Sequence, residues 1–318
     1  MRASLWLLSG VLMLPMGCST PEEPSPARDA GATQDAGPGL DASPGLDASP
    51  GLDASPGLDA SVEPDAGDQN VEPTDGFKSL YIGHSFGRPF AEKIPRLAER
   101  VGIPNHRQEI VFSGGASGAP MALWRDDEDR NVAQAILDGG DVDVLVMICC
   151  SEGWLETADD QGIVNWIDYA LEQNPNTRFA LAFPWPDFPE RYDSASFSSL
   201  WDEGYTMWKQ TIDTMRSRYD GVEIFSIPHG RASTQLWTLF DAGELPEVSA
   251  VRGPAASSIF TDRKGHAGDI FKNMGATIWV GAIYGVDVSE MTYGVNYETD
   301  IAGMAQAIVA ADDYTRTP

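Results

Sequence analysis

Apolar and polar positions form two kinds of block along the last three quarters of the chain. Short continuous apolar runs are typical of strands buried on both faces, and they alternate with stretches whose apolar residues recur at helical spacing. The predicted strands are 77–82, 108–112, 142–148, 178–183 and 222–227. The predicted helices are 88–101, 121–137, 163–172, 196–219, 230–240, 267–284 and 300–311.

A strand followed by a helix therefore recurs five times. This order predicts an α/β protein with a parallel sheet of about five strands, covered by helices on both faces. In such sheets ligands bind in the loops that follow the carboxyl ends of the strands. These loops are where candidate chemistry is expected.

Composition separates a different region, residues 19–75. It contains thirteen acidic residues, one basic residue (Arg28) and no aromatic residue, so it cannot bury enough apolar surface to fold alone. We therefore expect one folded domain, 76–318. The formal net charge of −27 argues against a nucleic-acid partner, which needs a basic face to meet phosphates.

The first residues predict export. Positions 1–17 combine Arg2 with a short apolar run, too short to span a bilayer and typical of a signal peptide. The run ends in Pro15-Met16-Gly17-Cys18 and resembles a bacterial lipoprotein signal. The resemblance implies lipidation of Cys18 and a lipid-anchored protein at the outer membrane or cell surface. An ordinary secretory signal is the alternative.

Residues 18–75 predict a disordered tether behind that cysteine. The six-residue unit PGLDAS starts at 38, 44, 50 and 56. One leucine per unit cannot build a repeat core, and Pro and Gly break helices and strands. The segment is interpreted as a spacer, with a partner-binding motif as the alternative.

The remaining cysteines, Cys149 and Cys150, are neighbours at the end of a predicted strand. Adjacent cysteines do not easily reach relaxed disulfide geometry, and no spacing typical of a zinc site occurs. We interpret them as buried small side chains.

Three strand-end segments carry candidate chemistry. Ser85 lies on a Gly-flanked turn after the first strand, Gly114 and Gly115 follow the second, and Asp262 precedes His266 before a late helix. A serine nucleophile needs a base, and the base needs an acceptor that fixes its tautomer. Taken singly, these features also suit a helix cap, a flexible loop and a surface histidine.

In this order the three segments resemble the SGNH (GDSL-type) hydrolase superfamily, over roughly residues 77–286. The resemblance implies a three-layer, flavodoxin-like α/β/α fold and hydrolysis of acyl esters without a metal or cofactor. It implies that Ser85 is the nucleophile, His266 the base and Asp262 its partner. It also implies an oxyanion hole formed by the backbone N–H groups of Ser85 and Gly115.

The chain departs from the family pattern at several positions. His84 replaces an Asp or Asn, four residues instead of three separate Asp262 from His266, and the expected Asn after the third strand is missing, with Glu152 nearby. A carboxylate does not donate hydrogen bonds unless protonated. This favours a slow or altered enzyme, or a different donor. The residues expected to line the cleft are His84, Gly114, Glu152, Trp154 and Trp185.

Tryptophans at predicted strand ends suggest a carbohydrate ester as substrate, because aromatic faces stack on sugars. The candidates are Trp124, Trp154, Trp185 and Trp237, and burial in the core is the alternative for each. The predicted function is therefore a serine esterase acting on acyl, including O-acetyl, esters of a small molecule or polysaccharide. The alternatives are a non-catalytic glycan-binding protein on the same fold and an acyltransferase.

Overall fold

The computed structural model describes residues 75–148 and 161–315 of the chain. The predicted signal peptide, the tether and Cys18 lie outside the described residues. So do Cys149, Cys150, Glu152 and Trp154.

A five-stranded sheet forms the centre of the domain, and all of its neighbouring strands are parallel. The strand order is β2-β1-β3-β4-β5, which is the order of flavodoxin-like folds. The predicted fold class is confirmed. The strands are β1 Lys78–Gly83, β2 Arg107–Phe112, β3 Val144–Ile148, β4 Arg178–Ala182 and β5 Ile224–Ile227.

Burial along the strands follows their place in the sheet. Every residue of β3 is buried, so helices cover both faces of the sheet at its centre. β2 lies at the edge and alternates between exposed and more buried positions at 107–110. The continuous apolar runs in the sequence therefore identified the inner strands for a physical reason.

Nine α-helices are found in the described part of the chain. The helix α8 is buried over most of its length and packs against α1, α2, α7 and α9, while α3, α4 and α5 pack on one another. The helices are α1 Arg88–Ala91, α2 Ile94–Arg100, α3 Pro120–Arg125, α4 Asp127–Leu137, α5 Gln161–Gln173, α6 Ser194–Arg218, α7 Arg231–Ala242, α8 Asp269–Tyr284 and α9 Ile301–Ala311.

Two of the predicted helices are each divided into two shorter helices in the structure, so their predicted extent was wrong. The predicted helix 88–101 is divided into α1 and α2, with Pro95 in the first turn of α2; a proline inside a helix removes a hydrogen bond and clashes with the preceding turn. The predicted helix 121–137 is divided at Asp126, whose backbone is extended and whose side chain accepts from the N–H groups of Glu128 and Asp129. An aspartate in this position starts a new helix.

A second sheet was not predicted. Its two parallel strands are β6 Ala250–Arg252 and β7 Ser258–Phe260, which are too short to give a periodic pattern. It leads directly into residues 261–268, which carry the candidate base. In the described segments, no helix has the length and apolar character needed to cross a membrane.

Candidate active site

The turn after β1 holds Ser85 half-buried at the carboxyl edge of the sheet. The N–H of Gly87 donates to the carbonyl of His84 at 2.9 Å, which closes the turn just before α1. The side chain of Ile148, at the end of β3, packs against both flanking glycines. A Cβ added at Gly83 would lie 2.5 Å from it, and one at Gly87 only 2.3 Å. The tight packing therefore requires glycine on both sides of Ser85.

The loop before α8 brings a histidine and an aspartate to that serine. His266 Nε2 lies 2.9 Å from Ser85 Oγ, and His266 Nδ1 lies 2.6 Å from Asp262 Oδ2. Because a carboxylate only accepts hydrogen bonds, Nδ1 carries the proton, and the neutral ring leaves Nε2 free to accept from the serine hydroxyl. This relay has the arrangement that activates a serine.

Asp262 is held in place by a second set of hydrogen bonds. Its Oδ1 accepts from the backbone N–H groups of Gly265 at 2.9 Å and His266 at 3.1 Å. Partial burial alone would raise the pKa of Asp262, but these bonds and the one from the His266 ring outweigh it and lower the pKa below its ordinary value. The carboxylate therefore stays ionised beside the imidazole.

Trp185 joins the serine turn to the histidine loop. It is 3% exposed, and its ring stacks on Phe86 with centroids 4.2 Å apart and planes within 7°. Its Nε1 donates to the carbonyl of Gly265 at 2.8 Å. One side chain thus contacts the neighbour of Ser85 and the neighbour of His266.

His229 lies two residues after the end of β5 and contacts the backbone of the serine turn. It was not predicted as a site residue. It is fully buried, its Nε2 lies 3.0 Å from the carbonyl of Phe86, and its Nδ1 lies 3.2 Å from the carbonyl of Ile227. Burial lowers its pKa to about 4 despite these two acceptors, which raise it. His229 is therefore neutral at physiological pH, and its single N–H serves one of the two carbonyls.

Polar contacts further bind the histidine loop to the segment after β4. The N–H of Phe188 donates to the carbonyl of Lys264 at 3.1 Å, and Lys264 forms an ion pair with Asp187. Arg263 pairs with Glu190 at 2.8 Å. The loop that carries the base is therefore fastened at several points.

The glycine loop after β2 lies beside the serine turn. The N–H of Ser113 donates to the carbonyl of Gly83 at 3.0 Å. A Cβ added at Gly118 would lie 2.3 Å from the same carbonyl and 2.6 Å from His84 Cβ. Gly115 has a φ of +52°, which favours glycine. Gly118, which was not among the predicted site residues, is the residue of this loop that comes closest to the serine turn.

Two residues expected to line the cleft are instead buried, which corrects those expectations. His84 is 4% exposed, and its Nδ1 accepts from the N–H of Phe86 at 3.3 Å. Trp185 presents no free face because it is buried against both Phe86 and Phe271. Gly114 is exposed in its loop. Trp237 is also buried, against Phe197 and Phe260.

Trp124 is half-buried, with its ring edge-on to Trp166 and Tyr169. Buried aromatic rings cannot stack on a sugar, so Trp185 and Trp237 do not present a stacking surface. The fourth, Trp154, lies outside the described residues. Within 75–148 and 161–315, no three His, Cys, Asp or Glu side chains are grouped so as to hold a metal ion.

Several proteins of known structure have a similar fold, and some of them are named as hydrolases. A DUF4886 family protein from Bacteroides uniformis is 16% identical, with a TM-score of 0.48 over 76% of this chain and 98% of that one. A proposed SGNH hydrolase from Slackia heliotrinireducens is 15% identical, with a TM-score of 0.42 over 65% and 99%. A family 3 carbohydrate esterase from Clostridium thermocellum is 13% identical, with a TM-score of 0.39 over 64% and 94%.

No protein-family model and no curated protein sequence matches the chain. The likeness to the solved structures is a likeness of fold at low identity. What the chain does must therefore be argued from the contacts of Ser85 and its neighbours.

Proposed function

We propose that this protein is a serine esterase that hydrolyses acyl esters, O-acetyl esters of carbohydrates among them. The observation that carries the proposal is the hydrogen-bond relay from Asp262 through His266 to Ser85, with contacts of 2.6 and 2.9 Å. Its position at the carboxyl edge of a parallel sheet supports the same reading, since ligands bind there.

In the first half of the reaction, Ser85 Oγ attacks the ester carbonyl carbon while His266 Nε2 takes the hydroxyl proton. Asp262 holds the ring and stabilises the imidazolium that forms. The tetrahedral intermediate collapses, the carbon–oxygen bond to the alcohol breaks, and His266 returns the proton to the leaving alcohol. The acyl group is then an ester of Ser85.

In the second half, water replaces the alcohol. His266 takes a proton from water, the hydroxide attacks the acyl carbon, and the bond to Ser85 Oγ breaks. The proton returns to the serine and the carboxylic acid leaves. All atoms of ester and water are accounted for, and no metal or cofactor takes part.

The oxyanion in both halves needs hydrogen-bond donors. We assign the backbone N–H groups of Ser85 and Gly115 to this role. The position of the glycine loop beside the serine turn supports this assignment. The Asn side chain of the family pattern has no counterpart in the sequence after β3, and removing one such donor costs about 10²–10³-fold in rate. We therefore expect a slow enzyme.

The test is hydrolysis of p-nitrophenyl acetate by the wild type and by Ser85→Ala. We expect Ser85→Ala to abolish turnover and labelling by a serine-directed phosphonate. Ser217→Ala, an exposed serine near the end of α6, is the matched control and should behave as wild type. Equal rates for the wild type and Ser85→Ala would overturn the proposal.

The same assay separates the two alternatives. A non-catalytic glycan-binding protein would give neither turnover nor labelling of Ser85. An acyltransferase would label but pass the acyl group to a sugar hydroxyl, so acylated sugar in place of acetate would identify it.

We further propose that the enzyme acts at the bacterial cell envelope, anchored through lipidated Cys18. The signal-like residues before Cys18 and the long polar segment after it support this location. Mass spectrometry of the exported protein should find an acylated N-terminal cysteine, and Cys18→Ser should release the protein from membranes. A wild-type chain that is cut elsewhere and unacylated would contradict it.

A further inference from the structure

A cavity of about 590 Å³ lies between α2, α8 and the segment 293–297 that precedes α9. Its size is within the usual range of small-molecule sites, about 300–1,000 Å³. None of the residues assigned to the reaction lines it.

One face of α2 supplies three cations to this cavity, Lys93 at its N-cap and Arg96 and Arg100 within it. Their spacing of three, four and seven positions places them on the same side of a helix. Among the described residues, no carboxylate oxygen lies within 4.0 Å of the charged nitrogens of these three. One wall of the cavity therefore carries three cations without a carboxylate partner in the described segments, although Arg100 Nη1 donates to the carbonyl of Thr292.

The two carboxylates that line the cavity are already engaged. Glu247 Oε1 accepts from the N–H groups of Glu298 and Thr299, and its Oε2 accepts from Thr299 Oγ1 at 2.8 Å. Asp269 lies 3.4 Å from Lys272. Both carboxylates thus have partners other than the three cations.

The pKa of Lys93 agrees with the lack of a close carboxylate partner in the described part of the domain. Burial lowers the pKa of Lys93, Asp269 opposes the change, and Lys272, Arg96 and Arg100 add to it. The ammonium group is therefore half-buried among like charges, and Asp269 offsets only part of the lowering of its pKa. A bound anion would remove that repulsion.

The opposite wall is polar and aromatic. Tyr293 and Tyr297 lie edge-on with ring centroids 5.6 Å apart, and Asn273 Nδ2 donates to the Tyr297 hydroxyl at 2.6 Å. Arg96 Nη2 would lie 3.3 Å from a Cβ at Gly294, so the guanidinium group reaches this wall. Tyrosine rings and amide groups beside cations suit a hydroxyl-rich ligand that carries a negative charge.

The cavity is also close to the candidate base. Asp269, which lines it, is three residues after His266. Consecutive Cα atoms are 3.8 Å apart, so the two Cα atoms are separated by at most about 11 Å. The wall of the cavity therefore begins close to the loop that carries the candidate base.

We propose that this cavity binds a carboxylate- or phosphate-bearing sugar, and that the substrate class of the enzyme is the esters of acidic carbohydrates. The assignment of the substrate class rests on the proposed esterase function; the binding of the acidic sugar does not.

Isothermal titration calorimetry of the wild type tests the binding. The probes are methyl glucuronide, glucose 1-phosphate, inorganic phosphate and the neutral methyl glucoside. We expect the charged sugars to bind at least about tenfold more tightly than the neutral sugar, because they alone can form charge-assisted hydrogen bonds with the three cations; tenfold corresponds to about 1.4 kcal/mol. Inorganic phosphate should bind more weakly than glucose 1-phosphate, because it lacks the sugar.

Arg96→Gln should weaken the binding of both charged sugars about tenfold and leave the neutral sugar unchanged. Arg218→Gln removes the same charge from an exposed position on α6 and is the matched control, with no expected change. Equal affinity for charged and neutral sugars, an equal loss in Arg218→Gln, or inorganic phosphate binding as tightly as glucose 1-phosphate would overturn the proposed sugar site.

The substrate class is tested by kcat/KM on acetylated methyl glucuronide and acetylated methyl glucoside. At least a tenfold preference for the glucuronide is expected, and no preference would overturn the assignment. None of the calorimetric probes is an ester, so binding is read independently of catalysis. If no ester is hydrolysed but the charged sugars bind, the esterase proposal fails while the cavity stands as an acidic-sugar site.

Discussion

The charged side chains of the candidate active site have partners within the protein, whereas in the described part of the chain the cations that line the cavity beside α2 have no carboxylate partner. Around Ser85 the titratable side chains of the relay have close partners, and Asp262 alone accepts three hydrogen bonds. In the cavity, Lys93, Arg96 and Arg100 lack carboxylate partners among the described residues, while the neighbouring carboxylates are engaged elsewhere.

The difference separates two kinds of functional surface. A reacting group must be held in one orientation before the substrate arrives, so its partners belong to the protein. A binding cation gains its partner from the ligand, so an unpaired state is tolerated until then. Changing a group in the first region should therefore cost much more than changing one in the second.

The largest effect is expected for Asp262→Asn. Asparagine keeps the shape of the side chain, but its amide can donate as well as accept, so it no longer fixes the proton of His266 on Nδ1. An amide in this position of a serine triad lowers kcat by about 10⁴-fold. Steady-state hydrolysis of p-nitrophenyl acetate gives the measurement. Asp220→Asn, at an exposed position beyond α6, is the control. A loss below tenfold in Asp262→Asn would show that another acid orients the histidine.

The next effect concerns His229, whose pKa burial lowers from its ordinary 6.5 to about 4. Between these values the unfolded chain binds more protons than the folded one, so stability is complete above pH 6.5 and is lost as the pH falls towards 4. The window of about 2.5 pKa units corresponds to roughly 3 kcal/mol.

Urea unfolding of the wild type and of His229→Gln at pH 4.5, 5.5 and 7 measures this contribution. The wild type should lose stability more steeply on acidification, because glutamine does not titrate. His106→Gln, which removes a half-buried histidine, should retain most of the wild-type slope. Parallel curves for the wild type and His229→Gln would mean that the buried ring does not resist protonation.

A smaller effect is expected for Trp185→Phe. Phenylalanine keeps the ring against Phe86 but loses the hydrogen bond from Nε1 to the Gly265 carbonyl, which costs about 1–3 kcal/mol for a buried acceptor. We expect kcat to fall about tenfold with little change in KM, because a loose histidine loop affects the transition state more than substrate binding.

Trp208→Phe provides the comparison, since its Nε1 donates to the carbonyl of Leu181 at 3.3 Å on β4. It should lower the thermal midpoint by a similar amount and leave kcat unchanged. If both variants lose stability and neither loses activity, Trp185 contributes to the stability of the core and not to catalysis.

The smallest effect is expected in the cavity itself. Arg96 lies three positions from Lys93 and four from Arg100, and like charges at these spacings destabilise a helix by about 0.2–0.5 kcal/mol per pair. Arg96→Gln should therefore raise the thermal midpoint by about 1–2 °C in the absence of ligand. Destabilisation by this substitution would reveal that Arg96 has an internal partner, and the contrast with the active site would disappear.

Much of the fold could be predicted because burial on both faces leaves a continuous apolar run. The strands 108–112 and 178–183 agree with β2 and β4 to within one residue. Pro95 and Asp126, which divide two predicted helices, are visible in the sequence as a helix breaker and a capping residue. The β6–β7 pair could not be predicted, because three residues carry no period.

The relay residues were named from a family resemblance, whereas the residues that hold them could not be. Trp185 meets Phe86 and Gly265 only through tertiary structure, and nothing in its neighbouring sequence indicates those partners. The cations of α2 share a face by their spacing alone. The wall that turns this face into a cavity, Tyr293 and Tyr297, comes from nearly 200 residues further along the chain.

Ser85 and His266 are 181 positions apart, and their contact depends on the whole sheet and on the loop before α8. The amino-terminal half of the domain carries the serine without the means to activate it. Until both parts of the domain have folded together, the serine therefore has no base within hydrogen-bond distance. The contact between the two side chains is therefore a direct sign that the whole domain has folded.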